Sequence, residues 1–152
     1  MTDVDIHAGF RRDGEVVHEC IPVERLREHE FRALATPALG SGFAAGDTIT
    51  VDDVGRVAVV RYGGNVGIQV YGRGVDTAIV MDVAAQIGSR GGRVDSLGDR
   101  VAVFTVPVAA GFPFIENTFN ALTAAYDGLE WYYTNVYDAA DEETPINWWT
   151  DS

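Results

Sequence analysis

A chain of 152 residues, 47% hydrophobic and 22% charged, has the make-up of one ordinary globular domain, long enough to bury roughly 70% of its unfolded surface without staples. All 11 basic residues are Arg, set against 23 acids for a formal net charge of −12, and a field of that sign repels phosphate backbones and anionic lipid, which argues against nucleic-acid and membrane partners. No apolar run approaches the roughly 20 residues of a membrane span, and the opening MTDVDIH lacks the basic and apolar regions of a signal peptide, so a cytoplasmic location is expected.

Residues 1–15 are polar and show no sustained period, which reads as an arm or a loose first strand. From Val16 the pattern alternates, with Val17, Ile21 and Val23 on one side and His18, Cys20 and Pro22 on the other. Pro22 places this strand at an edge or a bulge. FRALAT (residues 31–36) predicts a second strand ending at Pro37, and PALGSGFAAG (37–46) a loop whose Leu39 and Phe43 tuck over the end of a small barrel. GDTITVDDVGRVAVVRYGGN (46–65) reads as a hairpin with its turn at Asp53-Val54-Gly55. Four strands joined by tight turns in residues 16–65 predict a β-barrel-like half.

The period then changes. VGIQVY (66–71) alternates, whereas Ile79, Val80, Val83, Ala84 and Ile87 share one helical face, with Asp76 as cap and Gly88 as the left-handed terminator. A short strand follows around Val94, a buried one over 100–106, and a helix over 112–127 with Pro113 in its first turn. WYYTNVY (131–137) closes the set. The order βαββαβ over 66–137 predicts a ferredoxin-like sandwich. Its strands are apolar on both faces, since Ala102, Phe104 and Val106 oppose Val101 and Val103, and Tyr132 and Val136 oppose Trp131, Tyr133 and Tyr137. The second face therefore needs a lid, from the N-terminal half or from the acidic tail, 138–152. The expected architecture is α+β, with the barrel-like half packed on the sandwich.

No constellation points to catalysis. The single cysteine, Cys20, excludes an internal disulfide and any Cys-pair zinc site. His18 and Cys20 share a strand face, as a thiolate–imidazole pair would, but no third group stands near them. His29, between Glu28 and Glu30, reads as a solvated residue and His7 as part of the arm; Asp52-Asp53, with Asp47, reads as turn chemistry. The Gly-rich runs lack the Lys-Ser/Thr of a phosphate loop. No cofactor and no metal are expected.

FRALATPALGSGFAAGDTITVDDVGRVAVVRYGGNVGIQVY resembles the first half of the bacterial family known as domain of unknown function 4265, through Pro37, Gly46, Asp47, Gly64 and Val70. The helix ending near Gly88, the strand closing at Val106-Pro107, the second helix and the Trp-Tyr-Tyr strand are also similar, so the likeness spans roughly 16–137. Its motifs are turn and core residues, and it implies a fold without an activity.

Charge then carries the functional expectation. Residues 1–75 hold 8 Arg against 11 acids, and residues 76–152 hold 3 against 12. Solubility or adaptation to salt would explain this blandly. The sharper reading is a non-enzymatic acidic module for a basic protein partner, an immunity-type protein being the concrete version. Its expected partner-binding residues are Trp131, Tyr133, Tyr137, Asp141, Glu142, Glu143, Trp148 and Trp149, an aromatic surplus within an acidic field. The alternative is a small-molecule or enzymatic pocket between the halves using His18, Cys20, Arg61 and Tyr71, and a third is a plain oligomerisation domain.

Overall fold

The computed structural model describes residues 2–138 and 141–150. Asp151, within the stretch expected as an acidic tail (138–152), lies outside the described residues. Residues 2–10, expected as an arm or loose strand, form β1 (Thr2–Phe10), which pairs with β2 (Val16–Arg27) from Thr2↔Val23 to Phe10↔Val16. Its alternation is easily overlooked because Thr2, Asp3 and Asp5 are exposed while Ile6 is fully buried.

β3 (Glu30–Ala33), β4 (Thr48–Val51) and β5 (Val57–Arg61) complete an antiparallel meander in the order β1-β2-β3-β4-β5. This sheet is open, with β1 and β5 at its edges, and the closed form that a barrel-like half suggests is not reached. The curl carries the β4–β5 turn back to β1, where His7 N–H donates to the Gly55 carbonyl at 2.7 Å. β5 itself pairs with β4, and among the described residues no ladder joins it to β1. Ile6, Ile21, Val23, Phe31, Phe43, Ile49 and Val51 fill the curl.

Pro22 lies inside the sheet, not on an edge strand. Leu34 N–H donates to the Pro22 carbonyl at 3.0 Å, so the missing Pro22 donor faces the β3 side, where the ladder has run out beyond Val23↔Ala33. The loop after β3 splits the two apolar residues expected to act together: Phe43 is 1% exposed, Leu39 52%.

The second sheet comprises β6 (Asn65–Tyr71), β7 (Arg93–Leu97), β8 (Val101–Pro107) and β9 (Glu130–Tyr133), all antiparallel in the order β7-β8-β6-β9. Helix α1 (Thr77–Gly88) links β6 to β7, and α2 (Phe112–Ala125) links β8 to β9. The Asp76 carboxylate caps α1 by accepting from Ile79 N–H at 2.9 Å. Gly88 is the last helical residue; the left-handed position belongs to Gly91, at φ 84°. Ile79, Val80, Val83 and Ile87 from α1, with Ile115, Phe119 and Leu122 from α2, pack on Val66, Ile68, Val70, Ala102, Phe104 and Val106. Each such large side chain contributes about 1.5–3 kcal/mol through removal from water.

β9 is shorter than the seven residues expected. Its backbone pairing ends as Thr134 N–H donates to the Gly67 carbonyl at 2.9 Å, after which the Asn135 amide continues the ladder in place of a peptide, accepting from Gly67 N–H at 3.1 Å and donating to the Asn65 carbonyl at 2.9 Å. The chain bends there, so Val136 turns into the helix-side core instead of sharing Tyr132's side, and Tyr137 makes only an isolated bridge to Pro145.

The other face of this sheet is mixed, not apolar throughout. Gln69 and Thr105 stand beside Val103, all nearly fully buried. The cover is the 34–47 loop, and polar atoms hold it. Gln69 Nε2 donates to the carbonyls of Pro37 (2.8 Å) and Gly40 (2.9 Å), and Tyr71 OH donates to that of Ala38 (2.8 Å). Thr36 Oγ1 bonds Thr105 Oγ1 at 2.7 Å, while Thr36 N–H donates to Asp95. Gly67 sits under this lid because a Cβ there would meet the Thr134 hydroxyl and come within 2.6 Å of Thr36 Cγ2.

Candidate functional site

Two clefts open among the described residues, and the first borders this junction through Gln69 and the lid loop. The first runs along the outer side of β9, a space of about 750 Å³ bounded by Gly40 and Ser41 of the lid loop, Glu116 of α2, the aromatic run Trp131 to Tyr133, and Tyr137, Asp138 and Glu142 beyond the bend. β9 lies at the end of the sheet order, so this side of the strand is an unpaired edge.

The aromatic side chains are held rigidly. Trp131 and Tyr133 meet edge to face at 4.9 Å, Trp131 Nε1 donates to Asn120 Oδ1 at 2.9 Å, and Tyr133 OH donates to Glu116 Oε2 at 3.0 Å. Burial, reinforced by that bond to Glu116, pushes the Tyr133 hydroxyl far above its ordinary pKa. It therefore stays a proton donor and fixes the Glu116 carboxylate at the cleft wall. On the opposite face Tyr132 is 51% exposed and donates to Glu130 Oε2 at 2.7 Å.

Four of the eight expected partner-binding residues, Trp131, Tyr133, Tyr137 and Glu142, line this cleft. The other four do not. Trp148 stacks on Tyr62 at 5.1 Å and donates from Nε1 to the Asn135 carbonyl at 2.8 Å, while Trp149 packs on Phe112 at 5.0 Å. Both Trp rings thus fasten the tail to the body. Asp141 folds a local turn, and donors from the Thr144 hydroxyl, then the Thr144 and Glu143 N–H groups, hold its pKa down at about 2. Glu143 is exposed in that turn.

Sequence reasoning missed Glu116, Asp138 and Tyr132. Tyr132 and Asp138 are adjacent to chosen residues in the chain. Glu116 lies one helical face away and carried no signal until α2 was placed against β9.

The second cleft, about 880 Å³, opens at the mouth of the first sheet and gathers His7, His18 and His29 with Asp5, Asp52 and Asp53. His7 and His18 are cross-strand neighbours, and His29 Nε2 stands 3.8 Å from Asp53 Oδ1. Among the described residues no three His, Cys, Asp or Glu side chains are grouped so as to hold a metal ion. Of the alternative pocket set, only His18 lines this cleft. Cys20 is exposed and opposite Asp5, and desolvation, then the charges of Asp3 and Asp5, push its thiol pKa up, away from a reactive thiolate. Arg61 ends β5, and Tyr71 is committed to the lid.

At the junction between halves burial perturbs both Tyr71 and Asp47, raising their pKa values. Asp47 is fully buried, and burial pushes its pKa up to about 6 against the pull of donors from Gly63, Ala44 and Asn135. Its carboxylate joins the lid to the chain entering β6, through Ala44 N–H at 2.9 Å and Gly63 N–H at 2.7 Å.

The fold has a counterpart among solved structures. It is similar to a hypothetical protein from Neisseria gonorrhoeae at TM-score 0.68 and 13% identity, over 88% of this chain and 94% of that one, a likeness that shows the fold alone. No curated protein matches the chain. One family model matches residues 19–130, the stretch from Glu19 in β2 to Glu130 at the start of β9, and the chain belongs to the family described as Domain of unknown function (DUF4265).

Proposed function

We propose that the protein is a non-enzymatic, acidic protein-binding module that docks or neutralises a basic partner, as an immunity-type protein does. The observation that carries this reading is the β9 cleft, whose charged lining residues are Glu116, Asp138 and Glu142, without one Arg. Rigid aromatics beside carboxylates form the kind of surface on which a desolvated Arg or Lys anchors. In the same reading the protein acts in the cytoplasm, without nucleic acid or membrane. None of its helices among the described residues is long and apolar enough to cross a bilayer. The second half is read as a ferredoxin-like sandwich, a reading that the strand order β7-β8-β6-β9 supports.

The test is capture of a partner from native lysate by the full chain, compared with a Glu116→Gln, Asp138→Asn, Glu142→Gln variant, followed by calorimetry at low and physiological ionic strength. A partner held by the wild type, lost by the variant and weakened by salt supports the reading. Binding indifferent to salt and to the three substitutions contradicts it.

A small-molecule site is the second reading. The cluster His7, His18 and His29 favours the mouth of the first sheet for it over the filled junction.

A further inference from the structure

Resting on the protein-binding reading, we propose that the outer edge of β9 takes up a short extended segment with alternate basic side chains, adding it to the second sheet as a fifth strand.

The backbone sets the geometry. Thr134 N–H points at β6, where it meets the Gly67 carbonyl. In an antiparallel ladder the polar groups of successive residues alternate sides, so those of Tyr132 also face β6 and those of Trp131 and Tyr133 face out. Among the described residues nothing hydrogen-bonds to these outward groups. Such an edge is a template for another strand unless it is blocked. Two of the usual blocks are missing, because β9 carries no Pro and no bulge interrupts its pairing with β6.

The cleft sets the occupant. Four residues of edge span about 13 Å, and the chain bends away after Tyr133, so the added segment is short. Its side chains alternate between the α2 side, where Trp131, Tyr133 and Glu116 wait, and the lid side, where Tyr132 and Ser41 stand; Asp138 and Glu142 close one end. The Glu116 carboxylate on the α2 wall and those of Asp138 and Glu142 at the end select Arg or Lys. A second copy of this chain would bring an equally acidic edge against the first, and like charges across an interface oppose that pairing.

The test uses the full chain, isotope-labelled for amide exchange, and a synthetic peptide of alternating arginine and valine. Its controls are the same peptide N-methylated at alternate backbone nitrogens, in each of the two registers, and the peptide with glutamate for arginine. The arginine peptide is expected to slow exchange at the Trp131 and Tyr133 amides, to bind about tenfold more weakly when methylated in one register only, and to lose binding with glutamate. Binding that ignores methylation in both registers, or that leaves those two amides unprotected, overturns strand addition while leaving an acidic docking surface standing. Failure of every basic peptide to bind overturns the inference alone, since the captured-partner measurement decides the broader reading. Slow exchange of both amides in peptide-free, self-associated protein overturns it in favour of a second copy.

Discussion

The lid face and the outer edge of β9 belong to the same sheet and meet opposite fates. On the lid face every polar side chain finds a partner within the chain: Gln69 holds two loop carbonyls, Thr36 and Thr105 hold each other, and Asp95 takes a loop N–H. Among the described residues no buried side-chain polar atom is left without a hydrogen bond. At the β9 edge the backbone stops pairing and carboxylates gather beside fixed aromatics. The satisfied face is structure. The unsatisfied edge is where a partner gains most, because groups already bonded to one another have little left to offer a ligand.

The contrast sharpens within the lid loop itself, where Phe43 and Leu39 are both apolar and only Phe43 is buried. Phe43→Ala is expected to cost about 4 kcal/mol through lost burial and the cavity left behind, and Leu39→Ser no more than about 0.5 kcal/mol. Urea denaturation of the two variants checks this, and similar losses at both sites would break the distinction.

A smaller effect follows from Asp47. Its folded-state pKa, about 6, lies above the ordinary 3.8, so the folded chain holds this proton more tightly than the unfolded chain. The associated stability is complete below about pH 4 and is lost as pH rises through about 6, a fall on the order of 3 kcal/mol. Asp47→Asn cannot ionise and is expected to flatten that part of the stability profile, measured by denaturation across the window. An unchanged profile would mean that the donors around the carboxylate already hold it ionised.

Much of this fold was legible in the sequence because its elements carry strong local signals. The i, i+4 apolar spacing and the Asp76 cap mark α1, and the Asp53-Val54-Gly55 turn marks the β4–β5 hairpin. What was not legible depends on tertiary partners. β1 hid because Asp3 and Asp5 occupy its outer positions. The end of β9 at Tyr133 depends on the Asn135 side chain standing in for a peptide opposite Gly67, which no periodicity reveals. Glu19 illustrates the same limit. It looks like any strand glutamate, yet its carboxylate accepts from three successive loop N–H groups, Ala38, Leu39 and Gly40, and so fastens the lid. At the candidate site the aromatic run was visible as a surplus. Adjacent Trp148 and Trp149 read as a partner hot spot, and only the tertiary structure shows their rings resting on Tyr62 and Phe112.

Amide hydrogen exchange on the isolated full chain tests the closed face and the open edge together. Gly67 and Thr134, bonded to Asn135 and to Gly67 respectively, are predicted to exchange slowly, while the Trp131 and Tyr133 amides, three residues and one residue before Thr134, exchange fast. Equal protection of all four in a monomeric protein would contradict the account, because the β9 edge would then already be paired.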